Sequence, residues 1–277
     1  MKRIALPCGE SVPALGQGTW HVGDDPSRRQ EEIATLQHGI ALGLALVDTA
    51  EMYGDGRSEQ LVGEALAGRR DQVFLVSKVY PHHASRQAMR RACEASLRRL
   101  RVEAIDLYLL HWPGAVPLAE TVQAFEALQG AGKIRHWGIS NFDLEGMQAL
   151  WRTPGGPAAQ TNQVLYHLGE RGIEWDLRPR LGERRLPVMA YSPFDEGRLL
   201  KNRALVAFAR RHGSTPAQVA LAWLLAQDGV IAIPKTGSRA RVEENAGALA
   251  RPLSAAQLEE LGRHFPAPQG PTPLSMI

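Results

Sequence analysis

The sequence predicts an α/β protein built as a (β/α)8 TIM barrel, with an N-terminal β-hairpin and two additional helices. Three observations carry this. Short apolar or β-branched runs alternate with longer amphipathic stretches from about residue 15 onward. Eight such runs occur, more than the roughly six strands usual in an open doubly wound sheet. No glycine-rich phosphate turn follows the first run; Gly16-Gln17-Gly18 lies within it and reads as two small residues relieving crowding in a barrel wall.

The predicted strands are 15–20, 45–48, 73–79, 105–111, 134–140, 159–163, 188–192 and 230–234. Ahead of them, Ile4-Ala5-Leu6 and Val12-Pro13-Ala14-Leu15 flank Pro7-Cys8-Gly9-Glu10, the pattern of a hairpin closing one barrel end. Between the strands, sets such as Met89, Cys93, Leu97, Leu100 and Leu118, Val122, Phe125, Gln129 repeat every three or four residues, as helices packed on one face do. Thr215-Pro216-Ala217-Gln218 and Ser254-Ala255-Ala256-Gln257 carry helix-start chemistry and are read as opening the two extra helices. The Pro266–Pro273 stretch is too rich in proline for helix or central strand and is expected to drape over a surface. The chain is read as one unit, 1–277, with a hairpin cap over 1–15 and a tail over 263–277.

The composition is globular: 44% hydrophobic and 22% charged. Thirty-two basic against 29 acidic residues leave +3, which implies no nucleic-acid partner. The longest apolar run, Val219–Ala226, is far below the ~20 residues of a membrane helix, and Met1-Lys2-Arg3 is followed by no signal-peptide core. A soluble, cytoplasmic, monomeric protein is expected. Cys8 and Cys93 are too few for a disulfide framework and are expected to be free thiols with no base nearby. Metal is not expected, because His82-His83 has no third ligand at a suitable interval. The arginines of 90–91 and 98–101 read as a solvated helix face.

In parallel barrels the chemistry gathers at the C-terminal strand ends. The second strand ends in Asp48, the third in Lys78 and the fourth in His111, each closing an apolar run, and Tyr53 follows Asp48 by five residues. Singly, each has a structural reading: a helix cap, a surface lysine, a core histidine, a loop aromatic. Together on one rim they form proton-transfer machinery, in which Lys78 and Asp48 lower the phenol pKa and His111 orients a carbonyl.

Asp48-Thr49-Ala50-Glu51-Met52-Tyr53-Gly54, Leu75–Val79, Ile105–Trp112 and Trp137-Gly138-Ile139-Ser140-Asn141-Phe142 resemble the successive signatures of the aldo-keto reductase family. Thr161–Val164, Ala190–Pro193 and Ile233-Pro234-Lys235-Thr236, with Arg241 and Glu244-Asn245, follow in the same order. The resemblance implies NADPH-dependent reduction of a small-molecule carbonyl, with Tyr53 as proton donor, Asp48 and Lys78 as its modulators and His111 positioning the substrate oxygen. It further implies that Lys235, Thr236 and Arg241 hold the adenosine 2′-phosphate and that Glu244 and Asn245 face the adenine. Ser140, Asn141 and Gln163 would hold the carboxamide, with Tyr191 stacked on the nicotinamide and Thr19 and Ser192 also at the cofactor.

Charge alone supports part of this: Lys235 ends the eighth strand, Ser238 is a cap candidate, and Arg241 adds charge near the helix start, an arrangement suited to phosphate, although a merely solvated Arg241 fits equally well. Trp20, Tyr80 and Trp112 are candidates for an aromatic substrate mouth, with barrel-end packing as their other reading. The motif order is similar to bacterial members described as methylglyoxal reductases, so aldehydes and 2-oxoaldehydes are the expected substrates, with ketones as further candidates. The strip Ser192–Arg198 is short compared with the cofactor-strapping loop of many relatives, which implies comparatively fast NADPH release. Two other functions fit parts of the pattern: a Schiff-base lyase using Lys78, and a nicotinamide-binding regulatory subunit.

Overall fold

Strands with apolar side chains on both faces need cover on both sides, and a sheet so built is most completely satisfied when its two edges meet. The computed structural model describes residues 2–277; Met1, at which the hairpin segment 1–15 and the charged Met1–Arg3 start begin, lies outside the described residues. After a hairpin of β1 (Arg3–Ala5) and β2 (Ser11–Pro13), the barrel strands are β3 (Gln17–Gly18), β4 (Leu46–Asp48), β5 (Phe74–Val79), β6 (Ile105–Leu110), β7 (Ile134–Ser140), β8 (Asn162–Leu165), β9 (Val188–Tyr191) and β10 (Val230–Ala232). They pair in parallel in chain order. Between β10 and β3, the Gly16 amide donates to the Ala232 carbonyl at 2.9 Å, Ala232 to Ala14 at 2.9 Å, and Gly18 to Pro234 at 3.0 Å, joining the first strand to the last. The glycine reading holds: a Cβ on Gly18 would stand 2.8 Å from the Ile233 carbonyl oxygen, and one on Gly16 2.7 Å from that of Leu46.

Seven of the eight predicted strands lie within a few residues of those observed. The sixth shifts from 159–163 to Asn162–Leu165, although Gln160 and Thr161 already bond to the β7 backbone. The barrel interior holds Leu46, Val76, Leu107, Leu109, Met189 and Ile231, and the hairpin's Ile4, Leu6 and Val12 join the same cluster from below. The hairpin therefore plugs one end, and the C-terminal strand ends open the other.

The outer layer is α1 (Arg29–Ala41), α2 (Arg57–Ala65), α3 (Arg86–Leu100), α4 (Leu118–Gly130), α5 (Leu144–Arg152), α6 (Leu177–Glu183), α7 (Arg203–Arg211), α8 (Pro216–Ala226), α9 (Arg239–Gly247) and α10 (Ala255–His264). Thr215 and Ser254 both form full capping boxes, with Gln218 and Gln257 reciprocating. The helix after Thr215 is, however, the barrel's own: α8 packs on β10 and α9, while the additional helices are α7 and α10, which pack on each other. The tail read from 263 begins two residues later, since Arg263 and His264 close α10; from Phe265 on there is no helix or strand. Its Thr272–Ser275 stretch runs past α5 and α6.

The helix-to-strand core is illustrated by Phe125 on α4, fully buried and stacked on Trp137 of β7 with centroids 5.0 Å apart and planes 7° apart. Phe125→Ala removes one face of that stack and opens a cavity that neighbours cannot fill. Urea unfolding should register a loss of about 3–5 kcal/mol.

Candidate active site

A cavity of about 990 Å³ occupies the open barrel end and extends outward between β10, α9 and the segment after β9. A smaller one, about 320 Å³, lies between α5, α6 and the tail and touches none of the four rim residues singled out by their spacing.

Those four do converge. Lys78, fully buried on β5, spends its three ammonium hydrogens on Asp48 Oδ2 (2.7 Å), the Thr49 carbonyl (3.0 Å) and Tyr53 Oη (3.0 Å). Asp48 is further held through Oδ1 by Gln163 Nε2 at 2.8 Å. Tyr53 is returned over the lysine by a sharp turn in which Gly54, Asp55 and Gly56 all have left-handed φ, of 57°, 51° and 86°. The ring of His111, just beyond β6, meets that of Tyr53 edge-on at 5.8 Å. Beneath them Ser58 Oγ lies 2.8 Å from Thr19 Oγ1 and 3.1 Å from Thr49 Oγ1, while Thr19 Oγ1 donates to the Asp48 carbonyl at 2.9 Å. These buried hydroxyls pin the loop that carries Tyr53.

The electrostatics correct one expectation. Burial dominates at Tyr53 and raises the phenol pKa; Lys78 pulls it down, but the Asp48 charge pushes it up, so in the free protein the phenol sits above its ordinary value. Burial alone would lower the Lys78 pKa, yet Asp48 and Tyr53 more than offset it, and the group stays an ammonium. The His111 pKa is lowered to about 2 by burial and the adjacent Lys78 charge, so its imidazole is neutral. Nδ1 is buried without a partner, leaving Nε2 as the ring nitrogen not sealed off from the cavity.

On one side of the mouth, Asn141 Nδ2 donates to the His111 carbonyl at 3.1 Å, Tyr191 Oη donates to Asn141 Oδ1 at 3.0 Å, and Ser140 Oγ donates to the Gln163 carbonyl at 2.8 Å. Asn141 has φ of 60°, a conformation asparagine tolerates well. Burial pushes the Tyr191 pKa up to about 12, with a backbone hydrogen bond from Ile277 offsetting part of the rise.

The outer arm of the cavity is lined by Lys235, Thr236, Arg241, Glu244 and Asn245; Thr19 and Ser192 line the cavity as well. Lys235 is exposed along the cavity wall, and partial desolvation of its ammonium, with the Arg28 and Arg241 charges nearby, lowers its pKa. Among the described residues no carboxylate comes within ion-pair distance of it. Ser238 occupies the N-cap position of α9, but its side chain caps nothing. A cation with no ion-pair partner, beside uncapped helix amides, is the chemistry of an anion site, and the residues fit a phosphorylated cofactor. Arg28 belongs to this arm too and was not legible: it lines the cavity and donates to the Gly237 carbonyl at 3.0 Å from 209 residues away in the chain.

Trp20 and Trp112 line the mouth, joined by Met52, Met276 and Ile277. Tyr80 does not line it; its ring stands edge-on behind Trp112 at 5.8 Å. The expectation that neither cysteine has a base nearby fails at Cys8, whose Sγ lies 3.7 Å from His136 Nε2.

A closed parallel barrel with a buried Asp–Lys–Tyr chain and a neutral histidine at its open end defines the class of barrel enzymes that perform proton transfer at a bound carbonyl. The aldo/keto reductase family profile matches residues 14–264, and the chain belongs to that family. It is 54% identical to the methylglyoxal reductase YeaE of Escherichia coli (strain K12), over all of this chain and 99% of that protein. It is 32% identical to the glyoxal reductase of Bacillus subtilis (strain 168), over 93% of this chain and 91% of that one. Its structure matches the crystal structure of an aldo/keto reductase from Klebsiella pneumoniae in complex with NADP and acetate, with a TM-score of 0.97, 50% identity, and 100% and 99% of the two chains covered. No helix among the described residues is long and apolar enough to cross a membrane.

The lowered His111 pKa has a thermodynamic signature. Between its ordinary value near 6.5 and the folded value near 2, the unfolded chain binds a proton that the folded chain does not, so this group reduces stability as pH falls through that window. Imidazole nitrogen shifts should report a neutral His111 throughout the folded range below pH 6.5, and His111→Asn should flatten the acid limb of the stability–pH curve.

Proposed function

We propose that this chain is an NADPH-dependent reductase of aldehydes and 2-oxoaldehydes, methylglyoxal among them, with ketones as further substrates. One observation carries the chemistry: all three donors of the Lys78 ammonium are committed, one of them to Tyr53 Oη. An ammonium can only donate, so the phenol oxygen accepts and its own hydrogen remains free for a substrate oxygen. NADPH, when bound, supplies the hydride for the carbonyl carbon.

The side chains do the rest. Tyr53 gives its proton to the carbonyl oxygen, and the phenolate left behind is stabilised by Lys78 beside it. Asp48 keeps Lys78 charged and aimed. His111, neutral, offers Nε2 to the same oxygen and fixes its approach. Acidification of the phenol is thus an event of the reaction rather than a property of the resting protein, because burial that raises the resting pKa also magnifies the Lys78 charge when the phenolate forms.

In this reading Lys235, Thr236 and Arg241, with Arg28, hold the 2′-phosphate, while Glu244 and Asn245 face the adenine. Ser140, Asn141 and Gln163 hold the carboxamide; Tyr191 stacks on the nicotinamide, and Thr19 and Ser192 complete the cofactor walls. Trp20 and Trp112 form the substrate mouth, with Tyr80 backing Trp112. The 54% identity to a methylglyoxal reductase over the whole chain supports the substrate class. A Schiff-base role for Lys78 is disfavoured, since a charged, fully committed ammonium has no lone pair to attack a carbonyl.

We further read residues 1–277 as one unit acting as a monomer; the single-unit reading is supported by one family profile running from 14 to 264. The cytoplasmic assignment is supported by two free cysteines.

Tyr53→Phe should cut kcat with methylglyoxal by about 10²–10⁴-fold while fluorescence titration gives an NADPH affinity near wild type; wild-type turnover would overturn the assignment. Lys235→Ala combined with Arg241→Ala should raise KM for NADPH by more than about tenfold. KM for NADH should change little, and equal effects on both would remove the phosphate site.

A further inference from the structure

The hairpin that plugs the barrel brings a second set of reactive side chains together, at the end opposite the cavity. Its turn supplies Cys8 and Glu10, and β7 begins beneath it with Arg135 and His136. Cys8 Sγ lies 3.7 Å from His136 Nε2, and Nε2 lies 2.9 Å from Glu10 Oε2. The three ligand atoms all fall within 4.8 Å of one another.

We propose that Cys8, Glu10 and His136 bind Zn²⁺, with water in the fourth position, and that the ion staples the hairpin to the barrel. Tetrahedral zinc has bonds of about 2.3 Å to sulfur and 2.0–2.1 Å to nitrogen, which sets the S···N edge at about 3.6 Å, close to the separation in the protein. The N···O edge is about 3.4 Å, so Glu10 Oε2 must move outward by roughly half an ångström. Glu10 closes an exposed turn, Pro7–Gly9, and its carboxylate shifts together with the half-exposed Arg135 side chain that holds it.

The rest of the site is held in advance. The Cys8 amide donates to Gln160 Oε1 at 2.8 Å, and the turn is closed by the Leu6 amide on the Glu10 carbonyl at 2.8 Å. Arg135 Nη2 grips both Glu10 oxygens at 3.0 and 2.9 Å, and its Nη1 is held by Asp106 Oδ1 at 2.8 Å. Such outer partners orient a ligand carboxylate. Arg135 also opposes a cation. Asp106 is shared with Arg70 as well, so once the Cys8 thiol has lost its proton three negative charges face two positive ones, and the ion enters a net negative site. Zinc takes the His136 Nε2 lone pair, so the hydrogen that Nε2 shares with Glu10 passes to Nδ1 through solvent, the Cys8 thiol proton is released on binding, and affinity therefore falls as pH drops.

The probe is Co²⁺, added to the reduced, untagged full chain. Wild type should develop a near-ultraviolet thiolate-to-cobalt charge-transfer band with tetrahedral visible bands, saturating at one ion per chain and bleached by one equivalent of Zn²⁺. Cys8→Ser should abolish the charge-transfer band, and His136→Gln should weaken binding by at least about tenfold. Cys93→Ser should leave the spectrum intact, because Cys93 is buried in α3. Circular dichroism and thermal melts without metal establish that each variant folds, and Zn²⁺ should raise the Tm of wild type but not of Cys8→Ser. Absence of the band in folded wild type, or its persistence in Cys8→Ser, overturns the site whatever the enzyme's substrate proves to be.

Discussion

A lysine sealed inside a barrel wall is tolerable only when its charge is matched and its hydrogens are all bonded. Lys78 meets both conditions through Asp48, the Thr49 carbonyl and Tyr53. The surrounding structure follows from that requirement. Gln163 takes the remaining Asp48 oxygen, the hydroxyls of Thr19, Thr49 and Ser58 anchor the strand end, and three left-handed residues bend the chain so that Tyr53 can reach its partner. Removing any of these leaves a buried charge or donor unpaired, so the geometry is fixed by cost as much as by attraction.

The two ends of the cavity solve different problems with the same tool. At the barrel mouth the Lys78 charge is fully compensated by Asp48, and in the proposed reaction it stabilises an anion that exists only briefly. At the outer arm Lys235 has no ion-pair partner, Arg28 and Arg241 line the same cavity, and in the proposed function the three hold a permanent anion. His111 is the counterpart in which burial removes charge altogether, and the result is a donor that can orient an oxygen without competing with Tyr53 to protonate it.

Much of this was legible in the chain because strand ends are easy to read: an apolar run terminated by Asp48, Lys78 or His111 announces both a strand and what stands at its rim. Capping boxes at Thr215 and Ser254 were legible for the same reason, being local. What escaped was non-local. Arg28 reaches Gly237, and Cys8 meets His136, across stretches that no spacing rule connects. Tyr80 lies outside the cavity lining, and a strand-end position does not reveal that its ring packs edge-on against Trp112, which does line it. The sign of the Tyr53 shift was missed because burial, which outweighs Lys78, is a property of the packed molecule and has no pattern in the sequence.

The hairpin plug makes the barrel a vessel with a floor. Loads applied to the floor, such as a fused partner, a surface anchor or a cross-link through the turn of β1 and β2, act on the far side of the strand layers from the reacting groups. That face is where the molecule can be tethered or reinforced while the chemistry above continues undisturbed.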